Sequence, residues 1–396
     1  MKITNFALFG AKPAFDKPLP IGQLYFPSIQ RYEAAFRDIF ANQYYTNQGP
    51  LTQKLEESLQ QFLGVKHAIC VTNATIGLIM VADAMELSGK VILPAFTFIA
   101  SAQSLTWAGL KPVFCDINLD TQQLAINQLI TLIDDDVSAI MGVNLWGGSC
   151  NPDALAELAG SCGIQLYFDS AHAFGCVVNG VPIGNFGRAE VFSFHATKVL
   201  SSAEGGCICT NDDDLAGRLR NIRSSYGAGK SVNVAKAANG RMSEAQAAIA
   251  LMSLADFHAN QKNNETLFRL YSDQLAAISG LEMVMPAGVT FSNYQYVVCT
   301  IDEREFGLSR DLLIELLKAE NVIARRYFYP GLHRSIPYLQ ELPQYLNKLP
   351  NTDHLCATSI QLPIGALVSP EAVKRICNII DNAQQASSEI RSRYEK

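Results

Sequence analysis

The sequence predicts an α/β fold, a mostly parallel central sheet with helices on both faces plus a smaller C-terminal α/β domain. Three observations predict it. Between residues 65 and 210 short apolar runs alternate with helical stretches, which is how a parallel sheet covered on both faces is written in sequence. From Ser243 to Leu275 a long helical pattern runs without Gly or Pro, a natural link between two domains. Beyond Leu281 strand and helix patterns mix on a smaller scale. With 396 residues, 48% of them hydrophobic and 17% charged, the chain can bury a large core and divide into more than one domain. The boundaries read as an N-terminal segment over 1–30, a large domain over 31–255 and a small domain over 256–396.

Taken in order, residues 28–63 carry Tyr32, Phe36, Ile39 and Phe40, then Leu55, Leu59, Phe62 and Leu63, at helical spacings of three and four. The run Tyr45-Thr46-Asn47-Gln48-Gly49-Pro50 breaks that pattern into two helices. Strands are predicted at 67–71, 91–93, 112–115, 139–143, 165–168, 190–194 and 206–210, with helical stretches separating the first five. The acidic runs Asp134 to Asp136 and Asp212 to Asp214 read as solvated turns. In the C-terminal part a strand is predicted at 296–301, a helix at 309–320, a strand near 322–328, an irregular Pro-containing stretch through 350, and a last helix from Pro370 to Ala386. No internal repeat is apparent.

Composition narrows the function classes. Net charge is −6 with both signs scattered, so no basic face invites nucleic acid or an anionic membrane. Met1-Lys2-Ile3-Thr4-Asn5-Phe6 is not a leader pattern, and no apolar run is long enough to span a bilayer. Ten cysteines, spread from Cys70 to Cys377 without a CxxC pair, read as free buried thiols in a reducing cytoplasm. Cys207 and Cys209 share one strand face, but no further ligands stand at zinc spacing, and no metal is expected.

The chemistry-bearing residues gather at strand ends. Phe192-Ser193-Phe194-His195-Ala196-Thr197-Lys198, followed by Glu204-Gly205-Gly206, delivers a lysine from an apolar strand into a tight, polar, Gly-bounded turn. Leu166-Tyr167-Phe168-Asp169 is a second apolar strand that ends in a carboxylate. Lysine and carboxylate at neighbouring strand ends point to pyridoxal 5'-phosphate, which needs a phosphate cradle, a wall on each ring face, an acid at the pyridine nitrogen and a lysine at the aldehyde. Strand 67–71 runs into Thr72-Asn73-Ala74-Thr75, where a helix start offers free N–H groups to a dianionic phosphate, with the Thr75 hydroxyl beside them. Ser193 could donate to the same phosphate. Asp169 would hold the pyridinium proton, His172 and Phe98 could lie near the ring, and Lys198 would form the Schiff base and move protons. Each signal alone has an ordinary alternative: a helix N-cap for Thr75 or Asp169, core packing for the aromatics, a surface position for the lysine. Jointly they fall on one edge of one sheet, where open α/β folds place ligands.

At this point the sequence resembles the DegT/DnrJ/StrS family of sugar aminotransferases, which adopt the fold type I architecture of aspartate aminotransferase-like enzymes. The matching stretches cover nearly the whole chain: Thr46 to Pro50, Asn73 to Thr75, Thr97 to Ser101, Lys111 to Asp116, Asp169 to Gly175, Ser193 to Gly206, Asn239 to Glu244, and Tyr327 to Pro330. The resemblance implies that Lys198 carries the cofactor, that Asp169 meets the pyridine nitrogen, and that His172 and Phe98 neighbour the ring. It implies that Ala74, Thr75 and Ser193 bind the phosphate. In this family the segment matching Asn239 and Arg241 comes from a second subunit, so a homodimer with shared active sites is implied. Tyr327, Tyr329, His333 and Arg241 are the residues it places near the sugar nucleotide. Two positions depart from the family pattern: Ala74 stands where Gly is common, and Gly240 where an aromatic is frequent. Neither touches the chemistry.

The expected activity is transfer of an amino group from glutamate to a keto-sugar nucleotide, a dTDP-linked 3- or 4-keto-6-deoxyhexose. Two alternatives stand beside it: a glutamine-dependent keto-cyclitol aminotransferase, and a regulator that keeps the fold and binds the cofactor without catalysis. Lys198 and Asp169 both being present weighs against the regulator, and Lys198 weighs against a dehydrating branch of the family that carries His at that position.

Overall fold

The structure is a computed structural model and describes residues 6–224 and 234–394. The first five residues, read above for a leader, lie outside the described residues. The large sheet has seven strands: β1 (His67–Val71), β2 (Lys90–Pro94), β3 (Lys111–Cys115), β4 (Val137–Val143), β5 (Gln165–Asp169), β8 (Glu190–Ser193) and β9 (Gly206–Thr210), with a separate hairpin of β6 (Val177–Val178) and β7 (Val181–Pro182). Their order is β1-β9-β8-β5-β4-β2-β3. Only β9 runs against its neighbours, β1 on one side and β8 on the other, and every other pairing is parallel. Six strands therefore end on the same edge of the sheet.

Alternation along the strands explains why both faces need cover. Ile69, Val71, Leu93, Met141, Tyr167, Val191 and Ile208 pack into one layer with the helices Ala74–Ala84, Ile99–Trp107 and Asp213–Arg223. Ala68, Cys70, Phe192, Cys207 and Cys209 point the other way, towards Pro50–Leu63 and Glu244–Ala255. The side-chain period of two places apolar groups on both sides, so the sheet is a middle layer.

Three local readings are corrected by the structure. Asp212 to Asp214 is no solvated turn: the Asp212 carboxylate accepts from the Leu215 N–H at 3.0 Å, and Asp213 and Asp214 fill the first turn of Asp213–Arg223, where the helix dipole favours acids. The helical pattern from 243 to 275 is two helices, Glu244–Ala255 and Phe257–Leu275, divided at Asp256. Ser243 and Gln246 close a capping box on the first. The third correction is in the C-terminal part, whose antiparallel sheet is β10 (Leu281–Met283), β11 (Val297–Ile301) and β12 (Ser359–Leu362). No strand forms near 322–328; Val322 and Arg325 make only isolated bridges, to Leu19 and Gln361. The strand that pairs with β11 is β12, wholly buried and four residues long, too short to show a period.

This second core gathers Tyr271, Leu313, Ile360 and Ile380 under the helices Arg310–Ala319 and Pro370–Gln385. The N-terminal segment joins it: Phe6 is in the cluster, and Glu320 accepts from the N–H groups of Ala7 and Ala14 at 2.7 and 2.8 Å. Asp116, at the end of β3, fastens the helix Pro350–Thr358 to the large sheet by accepting from Asn351 N, Thr352 N and the Thr352 hydroxyl at 3.0, 2.7 and 2.7 Å. Among the described residues no helix is long and apolar enough to cross a membrane.

Candidate active site

Strand direction brings the candidate residues to one place. β1 leads to Ala74 and Thr75, β5 ends at Asp169, β8 ends at Ser193, and the turn from β8 to β9 carries Lys198. Ala74, Thr75, Phe98, Asp169, His172, Ser193, Lys198 and Tyr327 all line a single cavity of about 900 Å³. The lysine turn is tied down by its backbone, with Lys198 N donating to His195 O at 2.9 Å and Ala196 N to Ala203 O at 2.8 Å. The next residue, Val199, donates to the Gln295 side chain at 2.9 Å, so a segment 96 positions further along the chain also fixes the turn. Lys198 Nζ donates to the Tyr296 hydroxyl at 3.2 Å.

Asp169 is 6% exposed and sits on the floor of this cavity. Its Oδ2 accepts from the Ser101 hydroxyl at 2.7 Å and its Oδ1 from the Ala171 N–H at 3.2 Å, while Thr97 and Ser101 share a hydrogen bond of 3.1 Å. Burial pushes the carboxyl above the usual range; the Ser101 hydroxyl, the Ala171 N–H and the Lys198 charge pull it back. His172 forms a flat wall beside it, stacked on Trp146 at 5.3 Å and met edge-on by Tyr296 at 4.7 Å. Burial, and then Lys198, hold the His172 pKa well below the ordinary imidazole value, so the ring is neutral.

These residues fit pyridoxal phosphate on structural grounds. The helix Ala74–Ala84 opens at the cavity with Asn73 Oδ1 capping Ile76 N at 2.9 Å, which leaves the first N–H groups of the helix, at Ala74 and Thr75, without a partner inside it. Gly206 lies directly against this helix start, where a Cβ would come within 2.9 Å of Ala74 N. The buried Asp169 has neutral donors but, among the described residues, no ion-pair partner, and His172 Nδ1 is buried with no hydrogen-bond partner among them. A phosphate cradle, an acid, an amine and an aromatic wall therefore face one space.

Other candidates lie off the cavity of this chain. Asn239 is exposed, with φ of 52°, and Arg241 bridges Val71, its Nε and Nη1 buried with no partner among the described residues. Tyr329 is about half exposed beneath Arg326 and Arg310, at 4.8 and 5.6 Å from their guanidinium carbons. His333 is buried, bonded through Nε2 to Asp353 at 2.9 Å. Residues that sequence reasoning did not assign are Ser101, Tyr296 and Trp146. Ser101 stood within a matching stretch but carried no charge to draw notice, and Tyr296 is 98 positions from the lysine it bonds.

Residues 28–381 match the DegT/DnrJ/EryC1/StrS aminotransferase family. A dTDP-4-amino-4,6-dideoxy-D-glucose transaminase of Shigella dysenteriae is 33% identical over 371 residues, covering 92% of this chain and 99% of the relative. A GDP-perosamine synthase of Vibrio cholerae is 29% identical over 364 residues, covering 91% and 98%. The crystal structure of DesI in the presence of its TDP-sugar product superposes with a TM-score of 0.93 at 37% identity, covering 100% of both chains. The chain belongs to the DegT/DnrJ/EryC1/StrS aminotransferase family and is a pyridoxal-phosphate-dependent sugar aminotransferase.

Proposed function

We propose that this chain transfers the amino group of glutamate to the ketone of a dTDP-linked 4-keto-6-deoxyhexose. The observation that carries the reading is the joint opening of Lys198 and Asp169 into one cavity of about 900 Å³, which suits a nucleotide-sized ligand. The named activity of the Shigella relative and the TDP-sugar bound to DesI support the nucleotide, and the relative's name supports the 4-position.

Pyridoxal phosphate, when bound, supplies the electron sink and carries the amino group between half-reactions. The helix start at Ala74 and Thr75, with Ser193, would hold its phosphate, and Asp169 would meet its ring nitrogen. Lys198 Nζ would take the proton from the donor's α-carbon. In the second half Lys198 delivers a proton to the sugar carbon that accepts nitrogen. The Tyr296 hydroxyl, 3.2 Å away, orients Nζ for both transfers. Asp169 would pair with the protonated ring nitrogen and so keep the ring able to accept electrons, a preorganised charge that costs no rearrangement at the moment of reaction. Neutral His172 packs without adding a competing charge.

The reading includes a homodimer in which Asn239 of each subunit completes the other's phosphate site. What supports it is the open rim: Trp107 and Phe98, both lining the cavity, are 79% and 51% exposed in the single chain. The ten unpaired cysteines support a reducing cytoplasm.

The test is a panel of nucleotide-linked 3- and 4-keto-sugars and keto-cyclitols offered to the amine-loaded enzyme, with return of the pyridoxal absorbance as readout. Fastest turnover with a dTDP-4-keto-6-deoxyhexose is expected. Preference for a cyclitol would replace the substrate class, and cofactor binding without turnover of any ketone would overturn the reading.

A further inference from the structure

The basic groups around the cavity are unevenly matched. Lys236 pairs with Asp83 at 3.0 Å, and His195 lies 3.7 Å from Glu204. Lys198 is the reacting amine. Arg325 also lines the cavity, yet among the described residues no carboxylate stands within ion-pair distance of it, whereas the adjacent Arg326 reaches Asp311 at 3.6 Å. The position of Arg325 is nevertheless fixed. Its backbone bridges β12, donating to Gln361 O at 3.1 Å and accepting from Gln361 N at 2.9 Å. Its side chain lies over the Tyr327 ring, 5.7 Å from the centroid, and Nη1 donates to the Tyr327 hydroxyl at 3.2 Å. A guanidinium carries five donors, and among the described residues only Nη1 has a side-chain partner, the Tyr327 hydroxyl.

We propose that Arg325 receives the α-carboxylate of the amino donor, an inference that rests on the amino-acid donor reading above. A planar fork with no internal counter-charge suits bidentate contact with a carboxylate. Distance along the substrate argues for this anion over a nucleotide phosphate. The donor's α-carboxylate is one bond from the carbon whose proton Lys198 removes, while a phosphate is separated from a 4-ketone by the width of the sugar ring. Arg325 lines the same cavity as Lys198, Asp169 and His172, and a run of stacked aromatics ties it to that reacting end. Tyr327, which holds Arg325, stacks on Phe328, and Phe328 stacks on Trp146 beside His172.

The consequence is asymmetric, because the donor carries this carboxylate and the keto-sugar does not. Cofactor-loaded Arg325→Ala and Arg325→Lys enzymes should be followed in each half-reaction separately by cofactor absorbance. For Arg325→Ala the apparent Kd for glutamate should rise about tenfold to a hundredfold, the loss of a charge-assisted bond, with Lys recovering part of it. The half-reaction with keto-sugar should change by less than about twofold on the same scale. α-Methylglutamate, which has no α-proton, gives a binding readout without turnover and should lose affinity by the same factor. The wild type's preference for glutamate over 4-aminobutyrate, which lacks the α-carboxylate, should collapse in Arg325→Ala. Weakening confined to the sugar half-reaction would assign Arg325 to the diphosphate and overturn the proposal, as would unchanged glutamate affinity. A wild type that accepts no amino acid would overturn the donor reading together with it, a result distinct from equal glutamate binding by both enzymes.

Discussion

Replacing Glu190 by Gln isolates the effect of one buried charge beneath the active site. Glu190 lies in β8 with no exposed surface. Its Oε1 accepts from Gly184 N at 2.6 Å and Phe186 N at 2.8 Å, and its Oε2 from the Ser170 hydroxyl at 2.5 Å. Despite these donors, burial raises its pKa from 4.5 to about 7. The folded state then holds a proton that the unfolded state releases, so stability falls as pH rises from 4.5 through about 7. Between about pH 5 and about pH 8 this removes about 2 to 3 kcal/mol from the wild type and nothing from the uncharged variant. For a chain of 396 residues that corresponds to roughly 3 °C in Tm. Gln can keep its carbonyl towards Gly184 and Phe186; any mismatch with Ser170 adds an offset that does not vary with pH. The assay is a Tm series for both proteins across that pH range at fixed ionic strength and saturating cofactor. The variant should gain roughly 3 °C on the wild type between the two ends. A constant difference, or one that narrows with rising pH, would refute an uncharged Glu190 in the folded state.

Three further outcomes follow from other contacts. Ser101→Ala removes the 2.7 Å bond to Asp169, so the carboxyl should protonate at higher pH and the acid limb of the activity profile should move upward, with activity down about tenfold; Ser101→Thr should restore it, and an unmoved limb would show the contact is idle. Asp116→Ala leaves the start of Pro350–Thr358 uncapped and should cost about 2 to 3 kcal/mol, measured as a drop in Tm; an unchanged Tm would mean that the two domains are joined elsewhere. Mixing Lys198→Ala subunits with Asn239→Ala subunits should restore activity through one intact site per heterodimer, whereas inactive heterodimers would rule out the shared site.

Much of the large sheet was legible because buried strands leave short apolar runs bounded by turns, and seven of these were visible between 67 and 210. The small domain was less so. β12 is four residues long and follows a helix without a break, so no period marks it; Arg325, assigned to a strand by its apolar neighbours, makes only a bridge. Asp213 looked like part of a solvated acidic run because a helix that begins with acids and a turn made of them share the same letters.

The sequence by itself determined the cofactor chemistry of this protein. A lysine in a Gly-bounded turn, a carboxylate at a strand end and an Asn-Ala-Thr helix start are local features, set by neighbours in the chain. Only the tertiary structure decided what governs those groups: the Ser101 hydroxyl on Asp169, the Tyr296 hydroxyl on Lys198, Trp146 behind His172, and Arg325 with no counter-charge among the described residues. These partners come from distant parts of the chain: Ser101 from the helix Ile99–Trp107, Trp146 from the turn after β4, and Tyr296 and Arg325 from the C-terminal part. The reason is physical, since desolvation and hydrogen bonding act through space, and their strength depends on which distant segments the fold brings within about 3 Å.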